Sequence, residues 1–228
     1  MKKNIVFTNC TQDKELIPPS PSFANIPSWY KNTEPYLDIK LPVNSLIPQA
    51  TIKKCLPIFD AITSGYIIKS PCDVYVKNID GKQNFQWTTH DALEFHPIEQ
   101  ASLHPKSNGH DYPKWQNPWT IKTPKGYSVL ILQPVHRESV FTIFPAIVDT
   151  DKYHNRINFP FTLNDFTFEG VIPYGTPIAQ VIPFKRESWQ MTFGSKKETE
   201  AADKIVWDIK RVAYNQYKNL WRSKKEYK

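Results

Sequence analysis

The sequence predicts a mainly β protein with an extended N-terminal arm and one C-terminal amphipathic helix. Three observations carry this reading. There are 20 prolines and only 7 glycines in 228 residues; proline is excluded from central strands and helix interiors, so the elements between prolines must be short and bounded by rigid turns. Runs of β-branched and aromatic residues recur from Ala61 to Ile182 with turn residues between them, as in a sandwich or barrel. Only Lys197 to about Arg222 sustains a helical period. Hydrophobic residues at 40% and aromatics at 14% are enough for a packed core.

Residues 1–50 form the arm. Pro18, Pro19, Pro21, Pro27, Pro35, Pro42 and Pro48 punctuate it too often for a helix or a long strand. Its apolar groups, among them Phe23, Trp29, Tyr30 and Leu41, are too many for a solvated tail. The arm is therefore expected to lie across a surface, of its own domain or of a neighbouring subunit.

A β domain follows over 51–190. Ala61–Ile68 and Asp73–Lys77 read as strands, and Asp80-Gly81 is the pair of a tight hairpin turn whose return strand is Asn84–Thr88. His90–Trp119 reads as long loops with short strands. A regular series comes next: Tyr127–Leu132, Phe141–Phe144, Arg156–Leu163, Phe168–Ile172 and Ile178–Ile182.

The third part, 197–225, is the helix with a basic tail. Ala202, Ile205, Ile209, Ala213, Gln216 and Leu220 fall near one meridian at 100° per residue. Trp207, Tyr214 and Trp221 recur at seven-residue intervals beside it, and Lys204, Arg211, Lys218 and Lys225 one step further round. A helix docked on the sheet would bury Ile209 and Leu220 and leave its charges solvated. A contact helix would instead use Trp207, Arg211, Tyr214, Lys218 and Trp221 to bind a protein or an anionic partner, since Trp and Tyr beside cations are common anchors.

The formal charge is +7. From Lys204 onward there are eight Lys or Arg against Asp208 and Glu226, so this stretch holds six of the seven net charges. Beyond that tail, nucleic-acid binding is not indicated. No apolar run approaches the length of a membrane span, and the three-residue apolar stretch after Met1 is too short for a signal-peptide core. Cys10, Cys55 and Cys72 lack a Cys-x-x-Cys spacing and are expected to be buried free thiols of a reducing compartment.

His90, His96, His104 and His110, with Glu94, Glu99 and Asp111 nearby, are of a kind that suits Zn, Fe or Mn, but their spacing matches no metal motif. Histidines in proline-rich loops more often serve local hydrogen bonds. Trp87, Phe95, Tyr112, Trp115 and Trp119 could stack on ligand rings or close one end of the core. No cofactor is expected.

Thr123-Pro-Lys-Gly-Tyr-Ser128, Ala146-Ile-Val-Asp-Thr-Asp-Lys-Tyr153 and Gly175-Thr-Pro-Ile-Ala-Gln-Val-Ile182 follow one another in the order of the β-clip core of dUTPases and dCTP deaminases, which the region 119–186 resembles. The resemblance implies a β-clip-like barrel or sandwich, a trimeric assembly and, for an enzyme, Asp149, Asp151, Tyr153 and Gln180 at the catalytic site. It also exposes losses. Thr176-Pro177 stands where the family has Asp-Arg, and Pro134-Val-His-Arg137-Glu-Ser139 lacks the glycine of the family's Arg-Ser-Gly element, leaving Arg137 as a binding candidate. The Gly-rich closing tail is absent. A triphosphate needs convergent backbone N–H groups, which glycines allow to approach closely. Without that family, Asp149 and Asp151 read as turn residues making local hydrogen bonds.

A second resemblance spans most of the chain. Pro27-Ser-Trp-Tyr-Lys31, Ile52–Tyr66, His96-Pro-Ile-Glu-Gln100, Pro113-Lys-Trp115 and Ile178–Arg186 are similar to a family of proteins frequent in tailed bacteriophages. It implies a place in the cytoplasm of the infected host or in the virion, and no particular reaction. The expectation that results is a non-enzymatic phage binding or assembly protein acting as a homo-oligomer, foremost a trimer. The alternatives are a divergent nucleotide-binding or nucleotide-hydrolysing enzyme using Asp149 with Gln180, and a metal-dependent enzyme built on His90–His110.

Overall fold

The computed structural model describes residues 3–11, 15–38, 50–89, 91–100, 102–107, 109–211 and 217–228, with side chains for all of these but 206–211. In chain order the elements are β1 (Val6–Asn9), β2 (Ser20–Pro21), α1 (Ser28–Asn32), α2 (Leu56–Thr63), β3 (Tyr66–Lys69), β4 (Val74–Ile79), β5 (Lys82–Trp87), β6 (Leu93–His96), β7 (Tyr112–Trp115), β8 (Trp119–Lys122), β9 (Tyr127–Leu132), β10 (Phe141–Ile143), β11 (Ala146–Val148), β12 (Phe159–Leu163), β13 (Gly170–Ile172), β14 (Pro177–Lys185) and α3 (Lys196–Arg211). The protein is mainly β, as predicted, and all its strand pairs are antiparallel.

Four sheets enclose one core. Their strand orders are β11-β9-β14-β3-β2, β10-β12-β7-β6, β13-β4-β5 and β1-β8. Ile68, Val129 and Val181 of the first sheet meet Trp115, Phe141 and Phe161 of the second, Val74, Val76 and Phe85 of the third, and Ile121 of the fourth. Trp115 stacks on Phe161 at 5.2 Å between ring centroids, and Phe141 lies 5.7 Å from it. Of the aromatic set, Trp115 is buried in this core, Trp87 and Trp119 pack against it, and Tyr112 is buried beside His96 and Phe144. They fill space that β-branched residues alone could not, because aromatic side chains bury the largest apolar area per residue.

The Asp80-Gly81 hairpin turn joins β4 and β5 as predicted, both residues having positive φ, 51° and 75°. Ala61–Ile68 is not one strand. Its first half belongs to α2, which opens with Pro57 in the first turn, where a missing N–H costs nothing, and buries Asp60 and Ile62 on different sides of the helix. Ser64-Gly65 then breaks the helix and β3 begins. Gly65 has φ 71°, and a Cβ there would lie 2.1 Å from the Val181 carbonyl oxygen.

The described parts of the arm lie on the chain's own surface. β1 pairs with β8, β2 pairs with β3, and one helical turn, α1, follows Pro27. Tyr30 of α1 is buried, stacked 5.9 Å from Phe59 of α2, and donates its hydroxyl to the Lys53 carbonyl at 3.1 Å. The expectation of three buried thiols needs correction. Cys72 is buried, Cys55 is half-buried and Cys10 is exposed.

The C-terminal helix also departs from the docked reading. α3 is described as far as Arg211, and every side chain described in it is exposed, Ala202 and Ile205 included. Leu220, placed on the core face by its period, lies in a π-helical turn (Tyr217–Trp221) and is 67% exposed. The side chain of Ile209, and Ala213 and Gln216 on the same meridian, lie outside the described residues.

Two of the positive-φ glycines, Gly65 and Gly81, separate backbone strain from crowding. Gly81→Ala costs about 1–2 kcal/mol, the price of αL for an ordinary residue. Gly65→Ala costs clearly more, because its Cβ also meets Val181. Equal losses for the two variants in urea unfolding would contradict the packing of β3 on β14.

Candidate functional site

The turn after β11 gathers the carboxylates singled out in the sequence. The Asp149 carbonyl accepts from the N–H groups of Lys152 and Tyr153, each at 2.9 Å, which folds the chain back and brings Asp151 inward. Arg186, just beyond β14, reaches across to both acids. Its Nη1 donates to Asp151 Oδ1 at 2.8 Å, to Ser128 Oγ at 2.9 Å and to the Tyr127 carbonyl at 3.1 Å, and lies 3.1 Å from Asp149 Oδ1. Its Nη2 donates to Asp151 Oδ2, which also accepts from the Gly126 N–H at 2.8 Å. Ser128 donates to Asp149 at 2.7 Å.

This network sets the chemistry of both acids. The Arg186 guanidinium, followed by the Gly126 N–H, holds the Asp151 carboxyl well below the usual carboxylate range. The Ser128 hydroxyl, aided by the charge of Arg186, lowers Asp149. Arg186 is raised in turn, chiefly by Asp151. A general base works best with a pKa near the operating pH, and these two are pushed the other way. Tyr153 is exposed, with its backbone N–H committed to Asp149.

Gln180 lies elsewhere. In β14 it sits opposite Leu132 and Ile67, four residues from Phe184, the partner of Ser128. It is fully buried, donates to the carbonyls of Ala61 and Ser64 at 2.9 and 2.7 Å, and accepts from the Val135 N–H at 3.1 Å. Its amide thus closes the C-terminal end of α2, where helix carbonyls lack partners. Arg137 is half-buried and donates to the Asn25 carbonyl, and burial pushes its pKa down. Beside it the Trp29 indole N–H donates to the His136 carbonyl at 2.7 Å, so the arm covers this loop.

The histidines do not converge. His90 lies outside the described residues. His96 packs at 5.3 Å against Tyr112, His104 stacks at 4.2 Å on Phe144, and His110 is exposed. Glu94 is paired with Lys114 at 2.7 Å, and Asp111 accepts from the Ile98 N–H at 2.9 Å. Among the described residues no group of three or more His, Cys, Asp or Glu could hold a metal ion, and no helix is long and apolar enough to cross a membrane.

Of the C-terminal candidates, Tyr214 and the side chains of Trp207 and Arg211 lie outside the described residues, while Lys218 and Trp221 are exposed. The tail beyond them returns to the domain, which the sequence reading missed. Arg222 donates to both oxygens of Asp60, the shortest contact being 2.6 Å, and Lys225 donates to Asp60 Oδ2 at 3.0 Å. The Arg222 guanidinium also lies 5.8 Å from the Phe59 ring centroid. The hint was present in Asp60, a lone carboxylate between the apolar residues of α2.

Between this tail, the residues Lys3, Asn4 and Ile5 leading into β1 and the adjoining ends of β3, β9 and β14 lies a cavity of about 530 Å³. Its aromatic walls are Tyr66, Tyr127 and Tyr227, and Lys3, Lys224 and Lys228 stand around it. It adjoins the Arg186 network through Tyr127.

A scan against protein-family models finds no match, and neither does a search of curated protein sequences. Among solved structures the chain is similar to a mutant of the dUTPase of Staphylococcus bacteriophage 80alpha, with a TM-score of 0.38 and 11% identity over 85% of this chain and 89% of that one. It is similar also to a mutant dUTPase from phage phi11 of S. aureus, with a TM-score of 0.38 and 9% identity over 86% and 99% of the two chains. These scores describe a loose likeness in the course of the backbone, below the level at which residue roles transfer.

The clamp has a pH signature. Carboxylates whose pKa is lowered by folding add stability above their unfolded value, about 4, and lose it as pH falls through the folded value. Wild-type stability should therefore decline steeply below about pH 4. Arg186→Gln should be less stable at neutral pH and show a flatter acid limb. Parallel acid limbs in chemical denaturation would show that Arg186 does not hold the two acids.

Proposed function

We propose that this protein is a non-enzymatic binding and assembly protein that works as a homo-oligomer, in the cytoplasm of a phage-infected bacterium or in the virion. One observation carries the reading: the segment joining β14 to α3 leaves Trp189 87%, Met191 80% and Phe193 90% exposed. These residues alternate along an irregular, non-helical stretch, and a period of two puts side chains on one face of an extended chain. Each large apolar side chain gains about 1.5–3 kcal/mol when it leaves water. Three of them side by side form an arm that suits a partner's surface.

A second copy of the chain offers such a surface. β11 is an edge of the five-stranded sheet and exposes Ala146 and Ile147, the latter by 66%. An edge strand pairs readily with an incoming extended segment. Each arm would cover roughly 500 Å² of its own aromatic and thioether surface, so two or three exchanged arms reach the area of stable interfaces, about 1,200–2,000 Å². α3, with its exposed described side chains, stands next to the arm in sequence, and Lys218 and Trp221 follow it. On this reading it meets a protein or anionic partner once the oligomer has formed.

The other reading, a nucleotide-hydrolysing enzyme acting through Asp149 and Gln180, has two observations against it. Both acids are engaged by Arg186, and Gln180 is buried in the service of α2.

Light scattering at micromolar concentration should give a trimer or another closed oligomer. Trp189→Ser with Phe193→Ser should give a folded monomer with an unchanged circular dichroism spectrum. A wild-type monomer would overturn the assembly reading. With Mg²⁺ and dUTP or dCTP, no pyrophosphate or deaminated product should form; turnover abolished by Asp149→Asn would restore the enzyme.

A further inference from the structure

We propose that the cavity between the residues leading into β1, the C-terminal tail and the ends of β3, β9 and β14 is a binding site for a small ring-bearing anion. Strand register builds its floor. Pro183 sits opposite Val129, and Val181 sits opposite Tyr66. Tyr127 shares a face of β9 with Val129, two residues on, so Tyr127, Pro183 and Tyr66 share one face of the sheet. Further along that face Val129 and Val181 are fully buried in the core. The core filling stops short of the tyrosines, and the 530 Å³ left there falls in the range of small-molecule sites, about 300–1,000 Å³.

The walls are preorganised. Tyr66 is held edge-on between Phe7 at 5.3 Å and Tyr227 at 6.0 Å, and its hydroxyl donates to the Lys228 carbonyl at 3.2 Å. The tail that supplies Tyr227 is held to the domain by Asp60, whose side chain is nearly buried, through Arg222 and Lys225. Aromatic faces that need not move on binding favour flat rings.

Charge selects the rest of the ligand. Lys3 Nζ lies 5.9 Å from the Tyr127 ring centroid. Lys224 and Lys228 share the carboxylate of Glu226, at 2.9 and 3.8 Å. Lys3, Lys224 and Lys228 thus line the cavity together with the carboxylate of Glu226, while the nearby Asp149 and Asp151 are both turned to Arg186. A ring seated among the tyrosines would place a phosphate or carboxylate beside the lysines. Neither a neutral ring nor a bare anion uses both features. The site does not depend on arm exchange or on the absence of catalysis.

Calorimetric titration of the full chain tests this with four probes: phenyl phosphate, benzoate, phenol and inorganic phosphate. Phenyl phosphate or benzoate should bind, the stronger of the two naming the anion class, with phenol and inorganic phosphate about tenfold weaker or more. Tyr127→Ala should weaken binding about tenfold. Lys3→Ala, a change at an exposed position, should weaken it several-fold and reduce its dependence on salt. Lys82→Ala, in the β4–β5 hairpin, should leave binding as it was. The proposal is overturned if neither ring-bearing anion binds at about 5 mM, if inorganic phosphate binds as well as phenyl phosphate, or if Lys3→Ala binds like wild type.

Discussion

The guanidinium of Arg186 joins three separate parts of this protein. It ties the end of β14 to the start of β9 through Tyr127 and Ser128, and both to the turn after β11 through Asp149 and Asp151. Taking such charges out of water is costly unless every oxygen finds a donor. Here Asp151 has donors on both oxygens, one of them the Gly126 N–H, and the Arg186 N–H closes the circuit on the Gly126 carbonyl at 2.9 Å. The position of Tyr127 in the cavity and the point at which the chain leaves the sheet both follow from this clamp. So does the lowered pKa of the two acids.

α2 is the second junction. Gln180 satisfies its last carbonyls from beneath, while Phe59 receives Tyr30 of the arm on one side and Arg222 of the tail on another. Segments nearly two hundred residues apart in the sequence therefore rest on one helix of eight residues. A helix this short has little stability of its own, so it depends on these contacts as much as they depend on it.

The sequence was legible where local chemistry decides. The Asp80-Gly81 hairpin and the β-branched runs of β9 and β14 could be read directly, because turn geometry and burial act on neighbouring residues. α2 was hidden by the β-branched residues of Ala61–Ile68, which outweighed the Pro57 start and the Gly65 stop. β6, β7 and β8 were submerged in a proline-rich stretch, since strands this short leave no period to count. Asp149 and Asp151 were conspicuous, but their partner stands 35 residues away from Asp151, and no spacing rule announces it. The helical period of the C-terminal stretch was visible as well. What could not be seen was whether any sheet face remained open to receive it.

The chain leaves the domain after Arg186 and is back on it at Arg222, and both departure and return are fastened by arginine–aspartate pairs. The side chains described between these two anchors are exposed throughout. The entropy of closing such a loop grows only with the logarithm of its length, so residues can be gained or lost in it at little cost to the folded body. The stretch can thus change in length and sequence while the sheets keep their packing.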